Sequence, residues 1–181
     1  MIDVIKMAEI YARAAHGAIN QRRKYTGEPY IVHPQEVVRI LQNIGFNDKV
    51  WEEMYAAAWL HDVVEDTFLT LSCIERTFGY DISLIVDFLT DRKIEGNRAV
   101  RKKYNADRFK DAPKESINIK LADLISNTST IVLYDKVFAK IYLKEKEYLL
   151  KILEERGEFL LVNKAKISLE EGLKLLKEGS K

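Results

Sequence analysis

The amino-acid sequence predicts an all-α protein, and two observations carry this prediction. Apolar residues recur at the three- to four-residue spacing of a helix face along almost the whole chain. No segment shows the alternation of apolar and polar residues that indicates a half-buried strand. The 181 residues are 47% hydrophobic, and no linker rich in proline, glycine or serine divides them. We therefore expect one domain over residues 1–181.

The predicted helices follow from the apolar positions and from the residues that break helices. Residues 2–20 carry a recurring apolar face, and residues 34–44 begin at Pro34, which a first helical turn tolerates well. Residues 49–64 are apolar on nearly every side, which is typical of a buried central helix. Further helices are predicted at 70–78, 80–90, 97–108, 114–134, 136–155 and, in the tail, 163–181.

Charge and cysteine content limit the classes of function. The net charge of +1 argues against a protein that coats nucleic acid or an anionic membrane, so we expect a small ligand. The single cysteine, Cys73, is predicted to be a packed thiol without a basic neighbour that would lower its pKa. No apolar run approaches the length of a membrane span, and the N-terminus is unlike a secretory signal. These features predict a cytoplasmic protein.

Two of the three histidines belong to a set of residues with the composition of a divalent metal site. The set consists of His33, His61, Asp62, Glu65, Asp66 and Asp123. Imidazole nitrogen suits first-row transition metals and carboxylate oxygen suits harder ions, so a mixed shell favours Mn, Fe, Co, Ni or Zn over Ca. Hydrolysis is the usual reaction of such a site. The third histidine, His16, is predicted to be structural.

Spacing on the predicted central helix brings several of these residues together. His61 and Glu65 are four residues apart, and so are Asp62 and Asp66, so each pair is expected on one helical face. Burying that many carboxylates is costly unless a bound metal or several hydrogen-bond donors compensate. The alternative is that this end of the helix is exposed to solvent.

Three separated motifs carry a resemblance to a known family. In chain order they are GEPYIVHP at 27–34, HDVVEDT at 61–67 and IKLADLISNT at 119–128. From about Ala8 to about Leu153 the chain resembles the HD-domain hydrolases of the RelA/SpoT type. It is most similar to the stand-alone small alarmone hydrolases, which include the metazoan SpoT homologue. The resemblance implies an HD-domain helical bundle that removes the 3′-pyrophosphate of ppGpp or pppGpp, giving GDP or GTP. An enzyme of this length would degrade the signal without making it.

The resemblance also implies a role for each residue of the candidate metal site. One metal ion, usually Mn²⁺, would be bound by four protein ligands, which are His33, His61, Asp62 and Asp123. Other divalent transition metals suit the same ligands. Glu65 and Asp66 would activate the attacking water or position it, and which of the two is the base stays open.

The nucleotide is implied to meet cations and polar groups from several segments. A guanidinium can stack on a base or hold a phosphate in a fork, whereas a lysine supplies a point charge. The cationic stretch 92–103 could steer a polyphosphate toward the site, or it could be a solvated helix face. The residues expected to bind substrate are Arg23, Lys24, Arg101, Asn127 and Tyr142.

Other functions stay open at this level. The same constellation serves nucleotide phosphatases that release orthophosphate from 5′-deoxynucleotides or from the 2′ position of NADPH. The chain could also be a non-catalytic alarmone-binding module or an antitoxin-like partner, although an intact set of ligands argues against a degenerate sensor. The sequence does not distinguish guanosine from adenosine alarmones, or tetraphosphate from pentaphosphate. Apolar positions in the C-terminal helices could serve a homodimer.

Overall fold

The computed structural model describes residues 3–47 and 51–178. Predicted helical positions at residue 2, at 49–50 and at 179–181 therefore lie outside the described residues. Within the described ranges the protein is all-α, which confirms the predicted fold class. The helices are α1 (Val4–Ala18), α2 (Val32–Gln42), α3 (Glu52–Leu60), α4 (Val63–Asp66), α5 (Leu71–Phe78), α6 (Tyr80–Leu89), α7 (Arg98–Asp107), a 3₁₀ helix (Arg108–Asp111), α8 (Lys114–Tyr134), α9 (Lys136–Leu153) and α10 (Phe159–Glu178).

The chain divides into two compact units, Met1–Asp91 and Arg92–Lys181. Helix α3 is the centre of the first unit and packs against α1, α2 and α6. Every residue of α3 from Met54 to Leu60 is buried, as expected for a helix that is apolar on nearly every side. One domain over the whole chain stays a prediction.

Helix α8 is the long central element of the second unit and packs against α9 and α10. Its side chains Ile117, Leu121 and Leu124 are fully buried and form part of the core. Helix α10 begins at Phe159, four residues before the predicted start of the tail helix. Among residues 3–47 and 51–178, no helix combines the length and the apolar character of a membrane span.

The predicted continuous helix over 49–64 is wrong at its C-terminal end. Helix α3 ends at Leu60, and His61 and Asp62 form a turn before α4 begins. The His61 Nδ1 atom lies 2.8 Å from the carbonyl oxygen of Ala58, which in an unbroken helix accepts from the amide of residue 62. A side chain that hydrogen-bonds this carbonyl competes with the helical ladder, which explains why the helix stops here.

The prediction that Cys73 lacks a basic neighbour is wrong. The hydroxyl of Thr70, the N-cap residue of α5, donates to the Cys73 sulfur over 3.3 Å, and the Arg76 guanidinium lies 3.9 Å from the same atom. These contacts, with Thr70 contributing most, lower the pKa of the Cys73 thiol. Positions three residues apart are neighbours on a helix surface, so the contact with Arg76 follows from helical geometry.

Replacing Gly157 with alanine is expected to destabilise the second unit. A Cβ atom at this position would lie 2.6 Å from Leu121 Cδ1 and 2.9 Å from the Leu153 carbonyl oxygen, so the backbone would have to shift. We expect the free energy of unfolding, measured by urea denaturation, to fall by about 1–3 kcal/mol.

Gly17→Ala is the matched control for this change. Nothing lies within 4 Å of a Cβ atom built at Gly17, which is in α1. Alanine is favoured over glycine in a helix by about 0.5–1 kcal/mol, so this variant should be slightly more stable than the parent chain. Equal stability of the two variants would contradict the packing described around Gly157.

Candidate metal centre

Two short segments of the first unit position three donor side chains. His33 lies in the first turn of α2, and His61 and Asp62 form the turn between α3 and α4. Both imidazoles are buried, with exposed fractions of 1% and 2%, whereas the Asp62 side chain is 21% exposed. The imidazoles are therefore held inside the unit while solvent still reaches the carboxylate.

The donor atoms of these three side chains converge on one point. The Nε2 atoms of His33 and His61 are 3.2 Å apart. Asp62 Oδ2 lies 2.9 Å from the Nε2 of His61 and 3.5 Å from that of His33. Ligand bonds of about 2.1 Å put neighbouring ligands about 3.0 Å apart in an octahedron and about 3.4 Å apart in a tetrahedron. The three atoms have this spacing, so they fit a divalent transition metal.

Contacts behind the donor atoms fix their direction. The His61 Nδ1–H donates to the Ala58 carbonyl, which leaves the lone pair of the neutral ring on Nε2, where a metal would bind. The Tyr30 hydroxyl donates to Asp62 Oδ2 over 2.6 Å. The Tyr30 ring also lies edge-on to His33, with ring centroids 5.8 Å apart. Tyr30 therefore contacts two of the four predicted ligands, Asp62 and His33.

The carboxylate pair of α4 lies on the solvent side of this cluster. Glu65 and Asp66 are both exposed, as the alternative of a solvent-exposed helix end predicts. The backbone N–H of Asp91 donates to Glu65 Oε2 over 3.1 Å, and the Gln21 amide donates to Asp66 Oδ2 over 2.9 Å. Each carboxylate thus has one oxygen held by a donor, which restricts the direction of the side chain.

His16 lies next to this cluster, although the sequence indicates only a structural role for it. It is buried in α1, its Nδ1 atom is 2.7 Å from Gln21 Oε1, and its ring centroid is 4.8 Å from that of Tyr30. Burial lowers the pKa of His16 below its usual value. Sequence reasoning missed Gln21 and Tyr30 as site residues. Tyr30 lies three residues before His33 in the motif GEPYIVHP, a spacing that could have indicated it, whereas Gln21 has no helical spacing to any predicted ligand.

The predicted nucleotide-binding cations of the first unit lie on a short hairpin. A bridge between Arg22 and Pro29 closes this hairpin. Gly27 at its turn has a φ of +72°, a conformation that favours glycine. Arg23 follows the bridge residue Arg22 and Lys24 lies in the turn of the hairpin, where its ammonium is 4.7 Å from the ring centroid of the next residue. Their contact with a nucleotide stays a prediction.

The other predicted site residues belong to the second unit. Asp123 is buried in α8, where Lys120 Nζ lies 3.0 Å from its Oδ2 atom and the Asn127 amide donates to its Oδ1 atom. Tyr142 is buried in α9, and burial raises the pKa of its hydroxyl. Arg101 is exposed on α7 and donates to a backbone carbonyl at residue 96. Their roles toward a metal or a substrate stay predictions.

Comparison with known proteins places these residues in a family. The sequence profile described as HD domain matches residues 8–131, which include every motif around the candidate centre. The chain belongs to the HD-domain family. His61 and Asp62 are consecutive in the sequence and form a His-Asp (HD) pair within the matched residues.

Curated relatives of this HD-domain chain are much longer proteins. The chain is 35% identical over 117 residues to a probable guanosine-3′,5′-bis(diphosphate) 3′-pyrophosphohydrolase of Synechocystis, covering 61% of this chain and 15% of the relative. It is 31% identical over 152 residues to the guanosine-3′,5′-bis(diphosphate) 3′-pyrophosphohydrolase of Aquifex aeolicus, covering 79% of this chain and 20% of the relative. The chain thus spans about a fifth or less of the length of these relatives.

Solved structures similar to this HD-domain chain include proteins of comparable length. A metazoan orthologue of SpoT that hydrolyses ppGpp and plays a role in starvation responses superimposes with a TM-score of 0.80 and 25% sequence identity, covering 96% of each chain. A protein from Listeria monocytogenes EGD-e superimposes with a TM-score of 0.62 and 26% identity, covering 85% of this chain and 97% of its own.

Replacing Tyr30 with phenylalanine is expected to weaken metal binding. The change removes the hydrogen bond to Asp62 and keeps the ring that packs against His33. Loss of such a supporting contact typically lowers metal affinity about 10- to 100-fold, which a calorimetric titration with Mn²⁺ would measure. Tyr80→Phe, at an exposed position of α6, is the control and should bind Mn²⁺ like the parent chain. Unchanged affinity in Tyr30→Phe would contradict the supporting role.

Proposed function

We propose that this chain hydrolyses the 3′-pyrophosphate of guanosine alarmones, converting ppGpp or pppGpp to GDP or GTP and releasing pyrophosphate. The observation that carries the proposal is the convergence of His33, His61 and Asp62 in an HD-domain chain. The similarity to a ppGpp-hydrolysing SpoT orthologue over 96% of both chains supports this substrate, as do the names of the bacterial relatives.

The proposed cofactor is one Mn²⁺ ion, held by the donor atoms of His33, His61 and Asp62. Asp123 stays the predicted fourth ligand. The chemistry that such an ion supplies when bound is Lewis acidity, which acidifies water and withdraws charge from a phosphoryl oxygen. The mixed nitrogen and oxygen donors suit manganese, and they would also accept other divalent transition metals.

The proposed base is one of the two carboxylates of α4. Glu65 and Asp66 are open to solvent, so water reaches both of them. The Asp91 amide and the Gln21 side chain each hold one carboxylate oxygen, which aims the side chains without neutralising them. A carboxylate held this way can take the proton of the attacking water or orient that water toward phosphorus.

The proposed nucleotide contacts include the hairpin cations Arg23 and Lys24, together with Arg101, Asn127 and Tyr142. Arg23 donates its backbone N–H across the hairpin to the Glu28 carbonyl, 2.9 Å away, so the base of its side chain has a fixed position. A fixed backbone leaves only the side chain of Arg23 to lose freedom when it binds a phosphate, which favours binding. The proposed partner is a small nucleotide, and we expect no nucleic acid or membrane to take part. The proposed location is the cytoplasm. A homodimer also stays a proposal.

Metal-dependent turnover of ppGpp is the experiment that tests the function. Protein stripped of metal should be inactive, and added Mn²⁺ should restore the release of GDP and pyrophosphate. Asp62→Ala should lower the rate on the order of a hundredfold or more, because it removes a ligand. Asp81→Ala, at an exposed position of α6, should keep the parent activity.

The phosphorus product separates the competing functions. Orthophosphate released from NADPH or from a deoxynucleotide, without turnover of ppGpp, would replace the proposal with a phosphatase. Binding of ppGpp without any turnover in the presence of Mn²⁺ would indicate a binding module instead.

Removing the hairpin cations is expected to affect substrate binding more than metal binding. In the double variant Arg23→Ala and Lys24→Ala, KM for ppGpp should rise about tenfold or more, because two charge-assisted contacts to the nucleotide are lost. The concentration of Mn²⁺ that half-activates the enzyme should not change. Arg39→Ala, an exposed cation near the end of α2, is the control and should leave KM unchanged. A normal KM in the double variant would contradict the predicted contact.

A further inference from the structure

A chain of hydrogen bonds leads from a buried histidine to one of the proposed catalytic carboxylates. His16 is 2% exposed, and its Nδ1 atom lies 2.7 Å from Gln21 Oε1. The other end of the same amide, Gln21 Nε2, lies 2.9 Å from Asp66 Oδ2. Gln21 therefore joins the interior of the first unit to the solvent-exposed side of the candidate centre.

The chemistry of His16, Gln21 and Asp66 allows only one donor-to-acceptor direction along this series of hydrogen bonds. An ionised carboxylate only accepts hydrogen bonds, so Asp66 must face the NH₂ group of Gln21. The amide oxygen of Gln21 then faces His16, which must donate from Nδ1–H. Burial lowers the pKa of His16, and the neutral ring with its proton on Nδ1 meets this requirement. Among the described residues, the buried Nε2 atom of His16 has no hydrogen-bond partner.

Two hydrogen bonds also hold the backbone of Gln21 in place. The Gln21 N–H donates to the His16 carbonyl over 3.0 Å, and the Gln21 carbonyl accepts from the Tyr30 N–H over 3.0 Å. The rings of His16 and Tyr30 are also in contact, with centroids 4.8 Å apart. With the backbone of Gln21 held on both sides, its amide cannot turn away from Asp66 without losing the hydrogen bond to His16.

We propose that Gln21 is a positioning residue for Asp66, and that His16 fixes the orientation of the Gln21 amide. The inference rests on the proposed hydrolase function, and it adds two residues to that site. By holding Oδ2, Gln21 leaves Asp66 Oδ1 as the oxygen that turns toward water. Small displacements of a catalytic group have large effects on rate, so loss of this hydrogen bond should act on kcat.

Gln21→Met tests the inference because it keeps the length of the side chain and removes the amide. We expect kcat for ppGpp to fall about 10- to 100-fold, with KM and the Mn²⁺ requirement unchanged. In an Asp66→Ala background the same change should cause no further loss, because Gln21 acts only through Asp66. Gln42→Met, at an exposed position of α2, is the matched control and should keep the parent kcat.

The role of His16 is tested by a conservative replacement. The Nδ2–H of an asparagine can stand in for the Nδ1–H of histidine, so His16→Asn should keep most of the activity. His16→Leu removes the donor and should lower kcat further than His16→Asn does. Equal loss in the two variants would reduce His16 to a packing residue and overturn its part of the inference.

A measurement that does not depend on turnover separates this inference from the proposed function. The side-chain amide signals of Gln21 in a ¹H–¹⁵N NMR spectrum should shift, and their protons should exchange faster, in Asp66→Ala. Unshifted signals, a parent kcat in Gln21→Met, or an equal fold-loss in the Asp66→Ala background would each overturn the positioning role. A parent protein that turns over no ppGpp would overturn the proposed function, and the NMR result would then decide the inference by itself.

Discussion

The convergence of two imidazoles and a carboxylate is the constraint on which the proposed function of the first unit depends. The Nε2 atoms of His33 and His61 are 3.2 Å apart, and Asp62 Oδ2 is 2.9 Å from the nearer of them. Lone pairs that point at one place repel each other unless a proton or a cation lies between them, and burial strengthens this repulsion. The helix that carries His33 and the turn that carries His61 therefore bring together donor atoms that a divalent cation would accommodate.

The supporting contacts of this cluster come from the segment that follows α1. From this segment Tyr30 donates to the predicted ligand Asp62, and Gln21 donates to the carboxylate of Asp66. A backbone hydrogen bond from the Tyr30 N–H to the Gln21 carbonyl holds the two donor residues together. One stretch of chain thus holds a predicted metal ligand and a proposed catalytic group at the same time.

In the second unit, two cations of the stretch 92–103 form ion pairs with acidic residues of the same unit. Arg98 forms an ion pair with Glu145 at 2.7 Å, and Lys103 forms one with Asp107 at 2.7 Å. These pairs favour a structural role for part of the stretch, because a cation already paired attracts a phosphate less strongly. In α8, Asp123 is held between Lys120 and Asn127, so it also has a fixed orientation.

The sequence by itself determined the all-α class and the approximate helices, and it identified His33, His61 and Asp62 as candidate metal ligands. Helical periodicity is a local property, so the apolar spacing was enough to find α3 as a buried helix. The HD pair and His33 could be identified from the sequence because the type of a residue determines which donor atom it can offer to a metal. Apolar spacing did not predict where α3 stops, because the end depends on the orientation of the His61 ring, which bonds the Ala58 carbonyl on one side and lies against His33 on the other. The contacts from Tyr30 to Asp62 and from Gln21 to Asp66 span 32 and 45 residues, and no local pattern encodes partners that meet only when the chain has folded.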